Sequence, residues 1–303
     1  TFAAGVSNDG KVYVWGYTKI TDVIDLKDIP EEVLNAKIVD IAVGYDHIVA
    51  ADENGKVYVW GNDRLGQQIL PLDMDNANRL KKDLNYIQLE ASYQFAAALT
   101  EDGTLYLWGN SNMNDLKIRK KYQGNIAKVA TNINTYIVLL KTGEVAYAGF
   151  ESNAYSTIPE EAQSDVVDIA TTSTACAALK EDGSLVIWGN LSNNERQIPE
   201  HDSKIVKIYG GRYHFTALLE NGQVISWGDD EHKQTEVPVK LENQTVTQLY
   251  VGFYQNYAQT SDGQIVSWGL KGYVCGTDHL GRDILTRIVN GGKTTMTVGA
   301  VAV

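Results

Sequence analysis

The sequence predicts an all-β chain, a seven-bladed β-propeller followed by a short C-terminal helical segment, and three observations carry that expectation. Turn glycines recur as Gly10, Gly55, Gly103, Gly143, Gly183, Gly222 and Gly263, at spacings of 39 to 48 residues. Five residues after each stands Trp-Gly, except in the fourth copy, where Ala148-Gly149 replaces it. Between glycine and tryptophan the chain alternates polar and apolar residues, as in Lys11-Val12-Tyr13-Val14-Trp15 and Gln264-Ile265-Val266-Ser267-Trp268.

Each of these features has a physical reading. A glycine preceded by Asn, Asp or Thr supplies the positive φ that a tight hairpin turn requires. Upstream of six turns lies a second alternating stretch, such as Ile38-Val39-Asp40-Ile41-Ala42-Val43-Gly44 or Ile205-Val206-Lys207-Ile208-Tyr209-Gly210, which reads as a lead-in strand. Three or four short strands then make one blade. A small antiparallel sheet cannot bury both faces alone, so repeats of this length stack radially into a propeller with protected edges. Pro71, Pro159, Pro199 and Pro238 each lie 16 residues after a turn glycine and Pro30 lies 20 after Gly10. A residue without a backbone donor belongs in the connections between blades.

The blades span residues 1–269, with the first blade lacking its lead-in strand; 270–303 form a separate linker and tail. Because the chain opens in mid-strand at Thr1-Phe2-Ala3-Ala4, the missing strand is expected upstream. The formal charge of −12 argues against nucleic acid and against an anionic membrane surface as partners, since phosphate binding needs clustered Lys and Arg. The run Lys117, Arg119, Lys120 and Lys121 reads as a solvated loop. Cys176, within Ala175-Cys176-Ala177-Ala178-Leu179, reads as a buried free thiol, and Cys275 lies beyond the last repeat.

Units such as Ile41-Ala42-Val43-Gly44-Tyr45-Asp46-His47 followed by Asn54-Gly55-Lys56-Val57-Tyr58-Val59-Trp60-Gly61-Asn62 and Gly66-Gln67 resemble the regulator of chromosome condensation repeat. The shorter linkers, Ile158-Pro159-Glu160-Glu161-Ala162-Gln163-Ser164 and Gln234-Thr235-Glu236-Val237-Pro238, are more similar to bacterial versions, including propeller-type β-lactamase inhibitor proteins. The resemblance implies a seven-bladed propeller that binds proteins on one face. It leaves enzyme inhibition and, more remotely, guanine-nucleotide exchange open as alternatives.

The loop between lead-in strand and hairpin recurs in every blade, so its side chains are expected to ring one face. Its triplets are Tyr45-Asp46-His47, Tyr93-Gln94-Phe95, Ile133-Asn134-Thr135, Ser173-Thr174-Ala175, Arg212-Tyr213-His214 and Phe253-Tyr254-Gln255, with Phe2 ending the first. Aromatics crowd blades 2, 3, 6 and 7. Aromatic and arginine side chains on scaffolded loops suit protein and peptide interfaces. Tyr45, Asp46, His47, Tyr93, Phe95, Arg212, Tyr213, His214, Phe253 and Tyr254 are therefore the candidate binding residues, with filling of the space between blades as the competing role. His47 and His214 occupy a repeat position, which favours structural hydrogen bonding over catalysis.

No catalytic set, cofactor site or metal site is expected. Gly5-Val6-Ser7-Asn8-Asp9-Gly10-Lys11 has the spacing of a phosphate loop, but Val12 stands where Ser or Thr must reach magnesium, and the segment is a hairpin turn. Asp229-Asp230-Glu231 and the group Asp73, Asp75 and Asn76 lack the glycine and terminal glutamate of a calcium loop.

After Gly269 the repeat stops. Gly276-Thr277-Asp278-His279-Leu280-Gly281-Arg282-Asp283, followed by Arg287 and Gly292-Lys293, resembles the segment of dipeptide and oligopeptide ABC transporter permeases that precedes a membrane-spanning helix. Thr297-Val298-Gly299-Ala300-Val301-Ala302-Val303 would then open that helix, since spanning needs ~20 apolar residues. The resemblance implies an extracytoplasmic propeller on a membrane permease of a peptide importer. Its partners would be a protein or peptide ligand, a solute-binding protein, a second permease subunit and cytoplasmic ATPase subunits. A helix capping the propeller is the competing reading of the tail.

Overall fold

A computed structural model of the chain describes residues 2–110, 120–131, 133, 136–148 and 156–270. Within them the strands form seven antiparallel sheets in chain order, each predicted blade being one sheet. Blade 1 is the hairpin Phe2–Val6 and Val12–Gly16. Blade 2 comprises Ile38–Val43, His47–Asp52 and Val57–Gly61; blade 3, Tyr86–Ala91, Phe95–Thr100 and Leu105–Gly109. Blade 4 comprises Ile126–Thr131, Tyr136–Leu140 and Val145–Ala148; blade 5, Val166–Thr171, Ala175–Lys180 and Leu185–Gly189. Blade 6 comprises Ile205–Gly210, His214–Leu219 and Val224–Gly228; blade 7, Val246–Val251, Gln255–Thr260 and Ile265–Gly269. Three strands per sheet, rather than four, is the rule among the described residues, and the first sheet has two.

The turn glycines sit where the alternation places them, with φ from 80° at Gly55 to 90° at Gly103 and Gly183. Four of the prolines, Pro30, Pro71, Pro159 and Pro238, stand immediately before short helical turns in the connections, and Pro199 also lies outside the strands. A proline at the cap just before a helix has extended ψ and no N–H whose helical partner could be lost. The phosphate-loop look-alike is indeed the hairpin turn between Val6 and Val12, closed by the Ser7 amide donating to the Lys11 carbonyl at 2.9 Å.

Six apolar clusters lie between consecutive sheets, from blades 1 and 2 through blades 6 and 7. The middle strands of blades 2 to 6 are consequently apolar on both faces, and Ile48-Val49-Ala50 and Ala96-Ala97-Ala98 are wholly buried. Alanine recurs there because neighbouring sheets approach closely. Cys176 is one of these residues, a free and fully buried thiol that burial pushes above its ordinary pKa.

The tryptophans join repeats. Trp60 Nε1 donates to the Leu26 carbonyl at 3.1 Å, Trp108 to Gln67 at 2.8 Å, Trp227 to Glu195 at 2.7 Å and Trp268 to Gln234 at 3.0 Å. An indole supplies both the apolar body that fills the space between blades and a donor that reaches one carbonyl of the preceding blade's connection. Gln67, Glu195 and Gln234 are themselves buried, and their side-chain oxygens accept from the backbone N–H two residues earlier, at Leu65, Asn193 and His232.

A second set of links runs between the lead-in strands, which lie beside one another around the propeller axis. Gln88 exchanges two hydrogen bonds with the backbone of Val129, and Asp168 accepts from its own neighbour Ile169 and from the Ile208 amide at 3.0 Å. Lys128 pairs with Asp168. Polar residues at one strand position thus clip each blade to the next.

Beside this set, Glu90 accepts from Gln88 Nε2 at 2.8 Å, and burial raises its carboxyl pKa, opposed by the Gln88 hydrogen bond and the Lys128 charge. The folded chain therefore holds this proton more readily than the unfolded chain, and stability falls as pH rises from the ordinary carboxylate value through the raised one. Glu90→Gln is expected to raise the melting midpoint by about 2–4 °C at about pH 7 and to leave it unchanged near about pH 3.5, as calorimetry would show.

Candidate functional site

The loop ring begins as a backbone structure. The Tyr45 amide donates to the Ser92 carbonyl at 3.1 Å, Ser173 to Arg212 at 2.7 Å and Arg212 to Phe253 at 3.0 Å, so the loops of blades 2, 5 and 6 are each fastened to the loop of the next blade. Loops are also fastened to their own blade's exit: the amides of Asn62, Asn110, Asn190, Asp229 and Leu270 donate to the carbonyls of Asp46, Gln94, Thr174, Tyr213 and Tyr254 at 2.7 to 2.9 Å. Side chains on such loops are presented from a rigid frame.

Position within the triplet decides what is presented. The third residue is the first of the middle strand, paired with the glycine that ends the outer strand, as in His47 with Gly61, Phe95 with Gly109 and His214 with Gly228. In blades 2, 3 and 6 this residue is wholly buried. Four of the ten expected contact residues need correction from surface to support: His47, Phe95 and His214 at the third position and Asp46 at the second are buried. Phe95 belongs to the apolar cluster between blades 3 and 4 and faces Tyr136 at 6.4 Å.

The two histidines brace the loop. A Cβ added at Gly44 would lie 2.5 Å from His47 Cε1, and one at Gly211 would overlap the His214 ring, so glycine opposite the imidazole is obligatory in both blades. His47 Nδ1 lies 3.3 Å from Asp46 Oδ1, and Asp46 Oδ2 accepts from Asn62 Nδ2 at 2.7 Å. Asn256 donates through Nδ2 to the Gln234 carbonyl, which turns its Oδ1 toward His214 Nε2 at 2.9 Å. His214 Nε2 therefore carries the proton. Burial holds the His214 pKa below its ordinary value, so the ring is neutral at physiological pH. Blade 3 has Ala96 where blade 7 has Asn256, and His47 Nε2 is left without a hydrogen-bond partner.

The remaining six residues form the accessible part. Tyr45 is 56% exposed and Phe253 43%, with Tyr93, Arg212, Tyr213 and Tyr254 half-buried. They fall into two groups. Tyr45 and Tyr93 meet across blades 2 and 3, their rings tilted at 41° with centroids 4.5 Å apart. On blades 6 and 7 the Arg212 guanidinium lies over the Tyr213 ring at 5.2 Å and the Tyr254 ring at 5.3 Å, and His232 meets the Tyr254 edge at 4.7 Å. In blades 4 and 5, Ile133 and Ser173 stand at the first loop position; Asn134 and Thr135 lie outside the described residues.

A groove of about 470 Å³ opens elsewhere, lined by Glu200, Asp202, Leu219, Val224, Leu241 and Glu242 among others. It lies at the hairpin-turn ends of blade 6, the end of the strands opposite the ring. Among the described residues no three His, Cys, Asp or Glu side chains gather as a metal site. Asp229 accepts from Gln234 Nε2 and Asp230 from the Thr235 amide, so both carboxylates shape their own loop.

The regulator of chromosome condensation (RCC1) repeat profile matches residues 38–67 and 205–234, which are the lead-in strand, hairpin and exit loop of blades 2 and 6. The chain is a β-propeller with two repeats that match this profile. Yeast RCC1 (Prp20), in its crystal structure bound to Kap60, is similar at 20% identity over 84% of this chain and 74% of that chain, with a TM-score of 0.63. Prp20p from Saccharomyces cerevisiae, studied with its binding properties to Gsp1p and histones, aligns at 20% identity over 79% and 73%, again with a TM-score of 0.63. The CRINKLY WD40 ectodomain of the Arabidopsis thaliana receptor kinase ACR4 aligns at 16% identity over 89% and 91%, with a TM-score of 0.65. At these identities the likeness is one of fold. No curated protein matches the chain in sequence.

The permease-like segment 276–293, Cys275 and the apolar end of the chain lie outside the described residues. No helix among the described residues is long and apolar enough to cross a membrane.

Proposed function

We propose that this RCC1-like propeller is a non-enzymatic protein-binding module that receives its partner on the loop face of blades 2, 3, 6 and 7. The observation that carries the reading is the ring itself: exposed or half-buried aromatics at the first and second loop positions, mounted on loops fastened to one another through the backbone. Rigid aromatic anchors lose little conformational freedom on binding, and they dominate measured interface energies. The histidines nearest the face are buried supports, which favours binding over acid-base chemistry. Protein partners of the structurally similar Prp20 support the same class of function. Guanine-nucleotide exchange is less favoured, because fold likeness at this identity carries no activity.

The finer reading attaches the propeller to a peptide-importer permease, outside the cytoplasm. The resemblance of 276–293 to such permeases is its support.

Site-directed photo-crosslinking in cells expressing the full chain tests the binding face. A benzophenone side chain at Tyr45 or Phe253 is expected to give a discrete protein adduct, whereas one at Val239, exposed beside the groove on the opposite face, gives none. Adducts from Val239 alone would overturn the proposal, as would no adduct from any ring position. Membrane fractionation of the same cells checks the attachment: recovery of the chain in the cytosol would sink it.

A further inference from the structure

The Arg212 guanidinium stands out because its environment is organised yet electrically incomplete. Its backbone is held on both sides, the amide by Phe253 and the carbonyl by Ser173. Its head lies over two tyrosine rings. Among the described residues it forms no ion pair, and its buried Nε–H has no hydrogen-bond partner. The adjacent acids do not fill the gap, since Asp229 and Asp230 are turned to Gln234 and Thr235.

We propose that Arg212, positioned by Tyr213 and Tyr254, is the receptor for one carboxylate of the bound partner, the side chain of an aspartate or glutamate in an extended, partly apolar segment. This rests on the loop face being the binding face and names what is recognised there. Ring contacts engage the π-faces of a guanidinium and leave the N–H fork at its edge, which is the geometry that accepts a carboxylate through two parallel hydrogen bonds. A partner carboxylate would meet the terminal Nη groups of the fork, since protein closes off the Nε–H, and the side chain is ordered before binding, so little freedom is lost. Tyr254 and Phe253 offer apolar surface to the residues flanking the acid. The choice of a monoanion over a phosphate follows from the field: a chain of net charge −12, with Asp229, Asp230 and Glu231 on the neighbouring exit loop, repels a dianion more strongly than a single negative charge.

The test is a titration of the ¹⁵N-labelled protein, following the Arg212 Nε–H resonance, which is assigned by its loss in Arg212→Lys. The probes are acetyl-Leu-Glu-Leu-amide, its glutamine analogue and its phosphoserine analogue, each raised to about 20 mM to reach weak affinities. The glutamate peptide is expected to move the resonance to saturation, and the glutamine peptide to bind at least ~10-fold more weakly. Arg212→Lys, which keeps the charge but not the fork, is expected to lose ~10-fold in affinity, read from the Gly211 and Tyr213 amides, with an unchanged melting midpoint. Equal binding of the glutamine peptide, tighter binding of the phosphoserine peptide, full affinity in Arg212→Lys, or no shift with the glutamate peptide would each overturn the proposal. Failure here is separable from failure of the binding face: a crosslinked partner captured normally by Arg212→Lys but not by tyrosine variants of the ring would sink the carboxylate alone.

Discussion

Gly210→Ala is expected to lower the stability of the propeller by about 2–3 kcal/mol, measured as a drop in the urea midpoint at constant slope. Gly210 ends the lead-in strand of blade 6, where the same strand of blade 5 passes closest. An added Cβ would overlap the Thr171 carbonyl oxygen and lie 2.6 Å from the Thr171 carbonyl carbon. Neither backbone is free to retreat. Gly210 is paired with Phe215 in its own sheet, and Thr171 is paired with Cys176 and donates its hydroxyl to the Thr131 carbonyl at 2.7 Å. In an open strand the same change would help slightly, because alanine restricts the unfolded chain more than glycine does. Gly252, one position further along blade 7, provides the control: it is exposed, and the nearest atom to its Cβ is the Gln255 carbonyl oxygen at 3.2 Å. Gly252→Ala is expected to stay within about 0.5 kcal/mol of the parent. Equal losses from both would show that close packing of the lead-in strands does not limit stability.

Simultaneous replacement of Tyr45, Tyr93, Tyr213 and Tyr254 by alanine is expected to weaken capture of the crosslinked partner by ~100-fold or more, while moving the melting midpoint by no more than about 4 °C. The separation of the two effects follows from where the rings lie. None of the four belongs to an apolar cluster between the blades, and their mutual contacts are lateral, Tyr45 on Tyr93 and Arg212 over Tyr213 and Tyr254. The loop backbones they leave behind stay fastened by the amide-to-carbonyl links between blades. A large fall in melting midpoint, with capture reduced only in proportion to the unfolded fraction, would assign the rings to packing instead.

The candidate site was only half legible in the sequence. Aligning the triplets placed Tyr45, Arg212 and Phe253 at one position of the ring, and those residues do stand at the outer end of their loops. The same alignment could not separate them from Phe95, His47 and His214, two residues further on. Apolar or aromatic character is equally compatible with an anchor and with a strand start, and only the packing of neighbouring sheets shows that these three are buried. A useful sign was present and unread: Gly44 and Gly211 precede the two histidines by the same interval, which is what an imidazole folded back on its own loop demands.

What the sequence by itself determined is everything set within one repeat. Turn chemistry at Gly10 through Gly263, alternation toward each tryptophan and proline in the connections are local, acting over a few residues, and they specify hairpins, blade count and a radial stack without reference to the rest of the chain. What only the tertiary structure decided depends on residues about one repeat apart. The Gln88 clip to Val129, the Asp168 clip to Ile208, the close approach of Thr171 to Gly210 and the seat of Arg212 against Tyr254 all join one blade to the next. A strand's hydrogen-bonding pattern is the same whichever neighbour it meets, so periodicity predicts that blades stack but not which side chains cross between them. The seat of Arg212 on Tyr254 is one such crossing, visible only once blades 6 and 7 are side by side.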